Sequence, residues 1–313
     1  MLTEQRLRLS LKWKHFTDVL RGQTASQLVS GARNRARRTL LEASLRRAYE
    51  RRALRHSPHL PIVSTDTQAI LDDLETEGVH IGSMASLTVP STSKVLQSAS
   101  ALLPILARSS ATDKDDFIVQ TRPAYFRDHP ELYLWGVDDN VLDLVENYLG
   151  VPVGFDGVHV NRSIANGLQQ STRMWHLDQQ DHRMFRIIIY LNDIDDDNAA
   201  FQYIPRQQSE RARRTLGYSN ELVSDAIMRD VVPADQWKSC VGPRGTAIFV
   251  DPANIFHRGK VPKSQERYAI FYSYHSAKPM HERYLWPGYS PDFSASINDD
   301  LSERQRACVF WRN

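Results

Sequence analysis

A histidine one residue away from a carboxylate can give a cation two ligands, because residues i and i+2 of an extended chain point to the same face. The sequence holds this spacing twice, at His129-Pro130-Glu131 and at His176-Leu177-Asp178. With 11 His and 37 Asp+Glu in 313 residues a match by chance is expected, so the surroundings decide. His129 precedes a proline in the loop-like RDHPELY, whereas His176 follows Trp175 and leads through a short polar stretch to the apolar run at 186–191. A third ligand would complete a two-histidine, one-carboxylate facial triad with metal positions left open, an arrangement that suits non-haem iron(II). His257 is the candidate, following the apolar run at 245–250 and a Pro-Ala-Asn turn. Arg267 opens the next alternating run, and its planar, always-charged fork suits a carboxylate. No Gly-x-Ser-x-Gly elbow, common phosphate-binding glycine loop or cysteine in an activating context competes with this set. His159, His182, His275 and His281 lack comparable surroundings and are expected to be structural or solvent-facing.

The elements that must position these residues change character along the chain. Residues 1–60 carry 14 Lys and Arg against 4 Asp and Glu, which leaves 25 against 33 for the remainder and hides a strong split behind a net charge of +2. The segment 33–55, free of Gly and Pro and rich in Arg, Ala, Leu and Glu, predicts a helix with Leu41, Leu45, Ala48 and Tyr49 on one stripe. It reads as a basic N-terminal extension that packs one stripe on the main body, or that touches a membrane surface or nucleic acid. Further helices are predicted over 64–78, 93–107 and 139–149, the last closed by Gly150. Beyond Gly150 the period becomes two. Runs at 158–161, 186–191, 200–204, 245–250 and 267–275 predict short strands without regular intervening helices. That pattern argues for an antiparallel jelly-roll or barrel, interrupted by a polar helical insertion at 206–236. Two cysteines, Cys240 and Cys308, cannot build a disulfide framework, no run of about 18 apolar residues offers a membrane span, and no secretory signal opens the chain. A cytoplasmic location is the expectation.

Over residues 64–280 the sequence resembles the phytanoyl-CoA dioxygenase-like family of iron(II)/2-oxoglutarate-dependent dioxygenases. The likeness rests on TQAILDDLETEGVHI, on His176-x-Asp178 followed by RIIIYLNDIDDDNAAFQYIP, and on RGTAIFVDPANIFHRGKVPKSQERYAIFYSYH, which holds His257 and Arg267. The resemblance implies a mainly β fold with flanking helices around a double-stranded β-helix (jelly-roll, cupin-like) core spanning 61–313. It also implies Fe(II) on His176, Asp178 and His257, with 2-oxoglutarate and O2 as cosubstrates and the far carboxylate of 2-oxoglutarate on Arg267. Hydroxylation of a small molecule with release of succinate and CO2 would follow. An intact Asp178 favours hydroxylation over halogenation, because related halogenases carry a small residue there.

The sequence departs from the family pattern at three places. Asn198-Ala199 stands where Asn-Gly is usual, Arg206-Gln207-Gln208-Ser209 where Gly-Ser-His is usual, and Ala269 offers no hydroxyl for the cosubstrate carboxylate. A second contact to that carboxylate is therefore expected from Asn161 or Arg186. The insertion 206–236 and the stretch 80–135 are the expected determinants of the substrate. Tyr133 and Trp135 are expected in the core, with Trp175 divided between core and pocket. The competing reading is a non-catalytic jelly-roll module that binds a partner or a membrane surface through its basic N-terminus.

Overall fold

Alternating side chains on two neighbouring strands divide the interior into two compartments. Ile187, Ile189, Ile270, Tyr272 and Tyr274 join one buried cluster, while Ile188, Tyr190 and Ala269 join another on the opposite face of the same sheet. The computed structural model describes residues 25–109, 116–122, 124–285, 293 and 296–312. Its larger sheet has the order β1-β7-β4-β9-β3-β2, built from Val79–Ser83 (β1), Ile118–Gln120 (β2), Val153–Ser163 (β3), Phe185–Tyr190 (β4), Thr246–Val250 (β7) and Arg267–Ser276 (β9). The smaller sheet, β6-β5-β8, holds Phe201–Tyr203 (β5), Lys238–Cys240 (β6) and His257–Gly259 (β8). Every strand pair is antiparallel. The two sheets enclose the second cluster, so the fold is the double-stranded β-helix expected from the strand pattern.

Helices cover the outer face of the larger sheet. Thr65–Thr76, Thr92–Arg108 and Asp139–Leu149 each bury an apolar stripe there, through Leu74, Leu102 and Val145 among others. Ser64 and Asp138 cap the first and last of these by accepting from Thr67 N at 3.2 Å and Asn140 N at 3.0 Å. Tyr133 and Trp135 lie in the same outer cluster. Gly78, with φ +84°, turns the chain from the Thr65–Thr76 helix into β1, and an added Cβ would collide with the Ile255 side chain.

The basic segment forms the helix Ala25–His56, and residues 1–24 lie outside the described residues. Its expected stripe is only partly realised. Tyr49 is buried and donates its hydroxyl to Leu149 O at 2.7 Å, whereas Leu41 is 57% exposed. Helical periodicity selects a face, but the body covers only the end of that face nearest Tyr49. His56 pairs with Glu146 at 2.7 Å and Glu42 with His281 at 3.1 Å, so both ends of the described contact are polar. Among the described residues no helix is long and apolar enough to cross a membrane.

Two histidines outside the main constellation are interior groups. Burial, followed by the charge of Arg46, pulls His182 down to about 4. Burial also brings His275 to about 4, with the Arg312 charge adding to the fall against a hydrogen bond to Ser276 O. Both folded values lie below the ordinary 6.5, so the unfolded chain takes up protons that the native one refuses. Their contribution is intact above about pH 6.5 and falls away toward about pH 4, each group costing about 1.4 kcal/mol per pH unit. Urea midpoints should therefore drop clearly between about pH 7.5 and about pH 5; equal midpoints would contradict the assignment.

Candidate metal centre

The segments carrying His176 and His257 lie side by side because their backbones are paired. His176 N donates to His257 O at 3.2 Å and His257 N to His176 O at 3.1 Å, and Asp178 N donates to Pro252 O at 2.9 Å. This ladder brings residues far apart in the sequence onto one spot. The donor atoms of His176, Asp178 and His257 all lie within 4.8 Å of one another. His176 Nδ1 is 2.8 Å from Met174 O and His257 Nδ1 is 3.1 Å from Ile255 O, contacts that assign the ring proton to Nδ1 and leave Nε2 as the acceptor. Both Nε2 atoms face Asp178 Oδ1, at 3.6 Å and 3.7 Å. These separations are too long for hydrogen bonds. Donors about 2.1 Å from a shared ion stand roughly 3 Å apart, so a small closure would seat a cation. His257 Nε2 is buried and has no hydrogen-bond partner, a vacancy of bonding that a metal would fill.

The electrostatics keep His257 and Asp178 in their ligating forms. Burial holds His257 at about 3, with the neighbouring His176 adding to the fall, so this imidazole is neutral at ordinary pH. Burial pushes Asp178 upward, but Arg186 and the two histidines outweigh it, and the carboxyl lies below its usual range. Arg186 Nη2 donates to Asp178 Oδ2 at 2.7 Å and its Nε to Ser273 Oγ at 3.3 Å. One carboxylate oxygen is thus held by the guanidinium while the other faces the histidines.

Across the inner face of the larger sheet the register sets the remaining groups in rows. Arg186 lies opposite Ser273, Ile188 opposite Phe271 and His159, and Tyr190 opposite Ala269 and Asn161. Asn161 Oδ1 is buried without a hydrogen-bond partner. Arg267 opens β9 beside Ser163, 7% exposed, with its Nη1 buried and unpartnered. The structure therefore gathers all six expected residues on one inner surface, with Arg186 engaged by the Asp178 carboxylate. His129 and Glu131 sit apart from it; Glu131 accepts from Ser98 and faces Lys94 at 3.5 Å.

Sequence reasoning missed what stands behind the ligands. The insertion forms the helices Arg206–Leu216 and Asp225–Val231, and it grips the residues on both sides of each histidine. Trp175 exchanges backbone hydrogen bonds with Val223 at 3.0 and 2.9 Å, Leu177 N donates to Tyr218 OH at 3.1 Å, and Phe256 N donates to Ser209 Oγ at 2.8 Å. The fourth neighbour, Arg258, bonds Asp225 and lies over the Trp175 and Trp237 rings at 4.5 and 5.4 Å. Trp175 also donates to Asp225, at 3.1 Å, and is fully buried, so it belongs to this packing. The insertion thus braces the segments that carry the two histidines. Asp225→Ala would leave Arg258 without its carboxylate, at a cost of about 1–3 kcal/mol. It should also weaken metal binding about 10-fold, the usual result of removing a group that orients a ligand. Urea unfolding and a cobalt(II) titration check the two effects.

No family model matches the sequence, and no curated protein matches it. Solved structures do. EctD from S. alaskensis, solved with 2-oxoglutarate and 5-hydroxyectoine, superposes with a TM-score of 0.50 at 16% identity, covering 73% of this chain and 85% of that one. EvdO2 from Micromonospora carbonacea var. aurantiaca gives 0.49 at 14%, over 74% and 96%. HygX from Streptomyces hygroscopicus, solved with nickel and 2-oxoglutarate bound, gives 0.42 at 14%, over 69% and 88%. The likeness to EctD establishes a common fold.

Proposed function

We propose that this chain is an Fe(II)- and 2-oxoglutarate-dependent oxygenase that hydroxylates a small molecule, releasing succinate and CO2. The observation that carries the proposal is the convergence of His176, Asp178 and His257 within 4.8 Å, with an unpartnered, buried His257 Nε2. The shared fold with EctD, solved with 2-oxoglutarate, supports it. When bound, the iron with 2-oxoglutarate and O2 would supply the oxidising power for an unactivated C–H bond.

The chain's own share is positioning. His176 and His257, fixed through Nδ1 by backbone carbonyls, present lone pairs in set directions. Asp178 would add the charge that holds a divalent ion, and it stands where related halogenases carry a small residue. Arg186 keeps Asp178 turned inward through Oδ2. Arg267, buried with Nη1 unpartnered, receives the far carboxylate of the cosubstrate.

Purified protein, made anaerobic and given ferrous iron, should develop a weak visible absorbance band on addition of 2-oxoglutarate, and should release succinate when oxygen is admitted. Folded protein that takes up neither iron nor 2-oxoglutarate would sink this reading and favour a non-catalytic module.

A further inference from the structure

We infer that Arg173 and Arg267 form a paired-guanidinium anion pocket, and that Arg173 supplies the second contact to the far carboxylate of the keto-diacid cosubstrate. The identity of that anion rests on the proposed function; the pocket itself does not.

Arg173 is 1% exposed and Arg267 7% exposed. Neither forms an ion pair with a carboxylate among the described residues, and each keeps one buried N–H group without a hydrogen-bond partner, Arg173 Nε and Arg267 Nη1. A buried guanidinium without a counter-charge is costly, and two side by side are costlier. Burial pulls Arg173 down to about 10, with the Arg267 charge adding to the fall. An arriving carboxylate would relieve both.

The geometry holds Arg173 ready for one further bond. Its Nη1 donates to Asn166 Oδ1 at 2.8 Å and Leu168 O at 2.9 Å, and its Nη2 to Ser163 Oγ at 3.1 Å, Ile164 O at 2.5 Å and Phe117 O at 3.4 Å. Five acceptors fix the plane of the group and leave Nε over. Ser163 is the cross-strand partner of Arg267, so the same residue links the two arginines. Gly259 closes the corner. A Cβ there would stand 3.4 Å from Arg267 Nη2 and 4.0 Å from Thr172 O, beside Arg173. Gly259 lies two residues along β8 from His257, a strand distance of roughly 6–7 Å. That separation suits a ligand with one end at the metal and a carboxylate at the arginines. Arg173 would thereby supply the contact that Ala269, lacking a hydroxyl, does not offer.

The rival role for Arg173 is a pin for the 163–168 segment. Binding of two keto acids to the iron(II)-loaded, anaerobic protein separates the roles: 2-oxoglutarate, and 2-oxobutyrate, which lacks the far carboxylate. Arg173→Gln, and Arg173→Lys as a milder variant, should weaken 2-oxoglutarate about 10- to 100-fold, the worth of one charge-assisted hydrogen bond, with 2-oxobutyrate unchanged. Equal weakening of both ligands, or of neither, overturns the inference. If the wild-type protein binds no iron or keto acid, the proposed function falls and metal-free protein decides the pocket. A thermal shift by glutarate that Arg173→Gln abolishes upholds the arginine pair; no shift in the wild type overturns it.

Discussion

Replacing Asp178 with alanine is expected to lower metal affinity by more than the roughly 100-fold typical of losing a group that merely orients a ligand. Two causes act together. The ion loses its only anionic donor, since the other two side chains of the cluster are imidazoles, whose Nδ1 atoms face Met174 O and Ile255 O. Arg186 loses the partner it holds at 2.7 Å and turns from a support into a cation facing the metal position. A cobalt(II) or ferrous titration reads the affinity directly. Asp178→Asn should lose nearly as much, because the amide keeps the shape and discards the charge. Retention of wild-type affinity by either variant would remove Asp178 from the metal site.

The largest stability effect is expected at Arg206. Asp251 is fully buried, and its Oδ2 accepts from Tyr148 OH at 2.5 Å, Asn254 Nδ2 at 2.8 Å and Arg206 Nη2 at 3.0 Å. Arg206 is the only cation within ion-pair distance of that carboxylate among the described residues. Arg206→Met should therefore cost about 3–5 kcal/mol, the usual penalty for stranding a buried charge. Asp251→Asn in the Arg206→Met background should recover part of the loss, because no bare charge is left behind. Urea unfolding of the three variants measures this cycle. A single-variant loss below about 1 kcal/mol would mean that solvent or neighbouring dipoles satisfy Asp251. Asp251 also starts the turn that leads to His257, so metal affinity should fall along with stability.

The cluster of His176, Asp178 and His257 was legible because its signal is local. An i, i+2 pair on an extended segment, a second histidine after a strand and an arginine opening the next strand can all be found by spacing. Strand alternation at 186–191 and 267–275 likewise reveals two faces before any partner is known. Groups whose meaning depends on a distant partner were not legible. Arg206 reads as a departure from the family pattern until Asp251 is seen beside it. Arg173 is one more polar residue in QQSTR until Ser163 is seen to bond it and to face Arg267 across the strands. Asp225 and Tyr218 lie in a polar stretch that suggests solvent, yet they hold Trp175, Arg258 and Leu177. Leu41 shows the opposite failure. Its position on the helix stripe is correct, but periodicity does not say how far the covering surface extends.

The paired backbones of His176 and His257 carry a kinetic consequence. The two ligand segments are distant in sequence and meet only when β8 of the smaller sheet closes against the approach to β4 of the larger. Closing such a long loop is late and entropically expensive. An ion that needs both segments finds no complete binding site on the earlier path. It would leave the folding rate almost untouched and act on the reverse step, so that a bound ion would serve as a latch on unfolding and the lifetime of the native state would depend on whether the latch is filled.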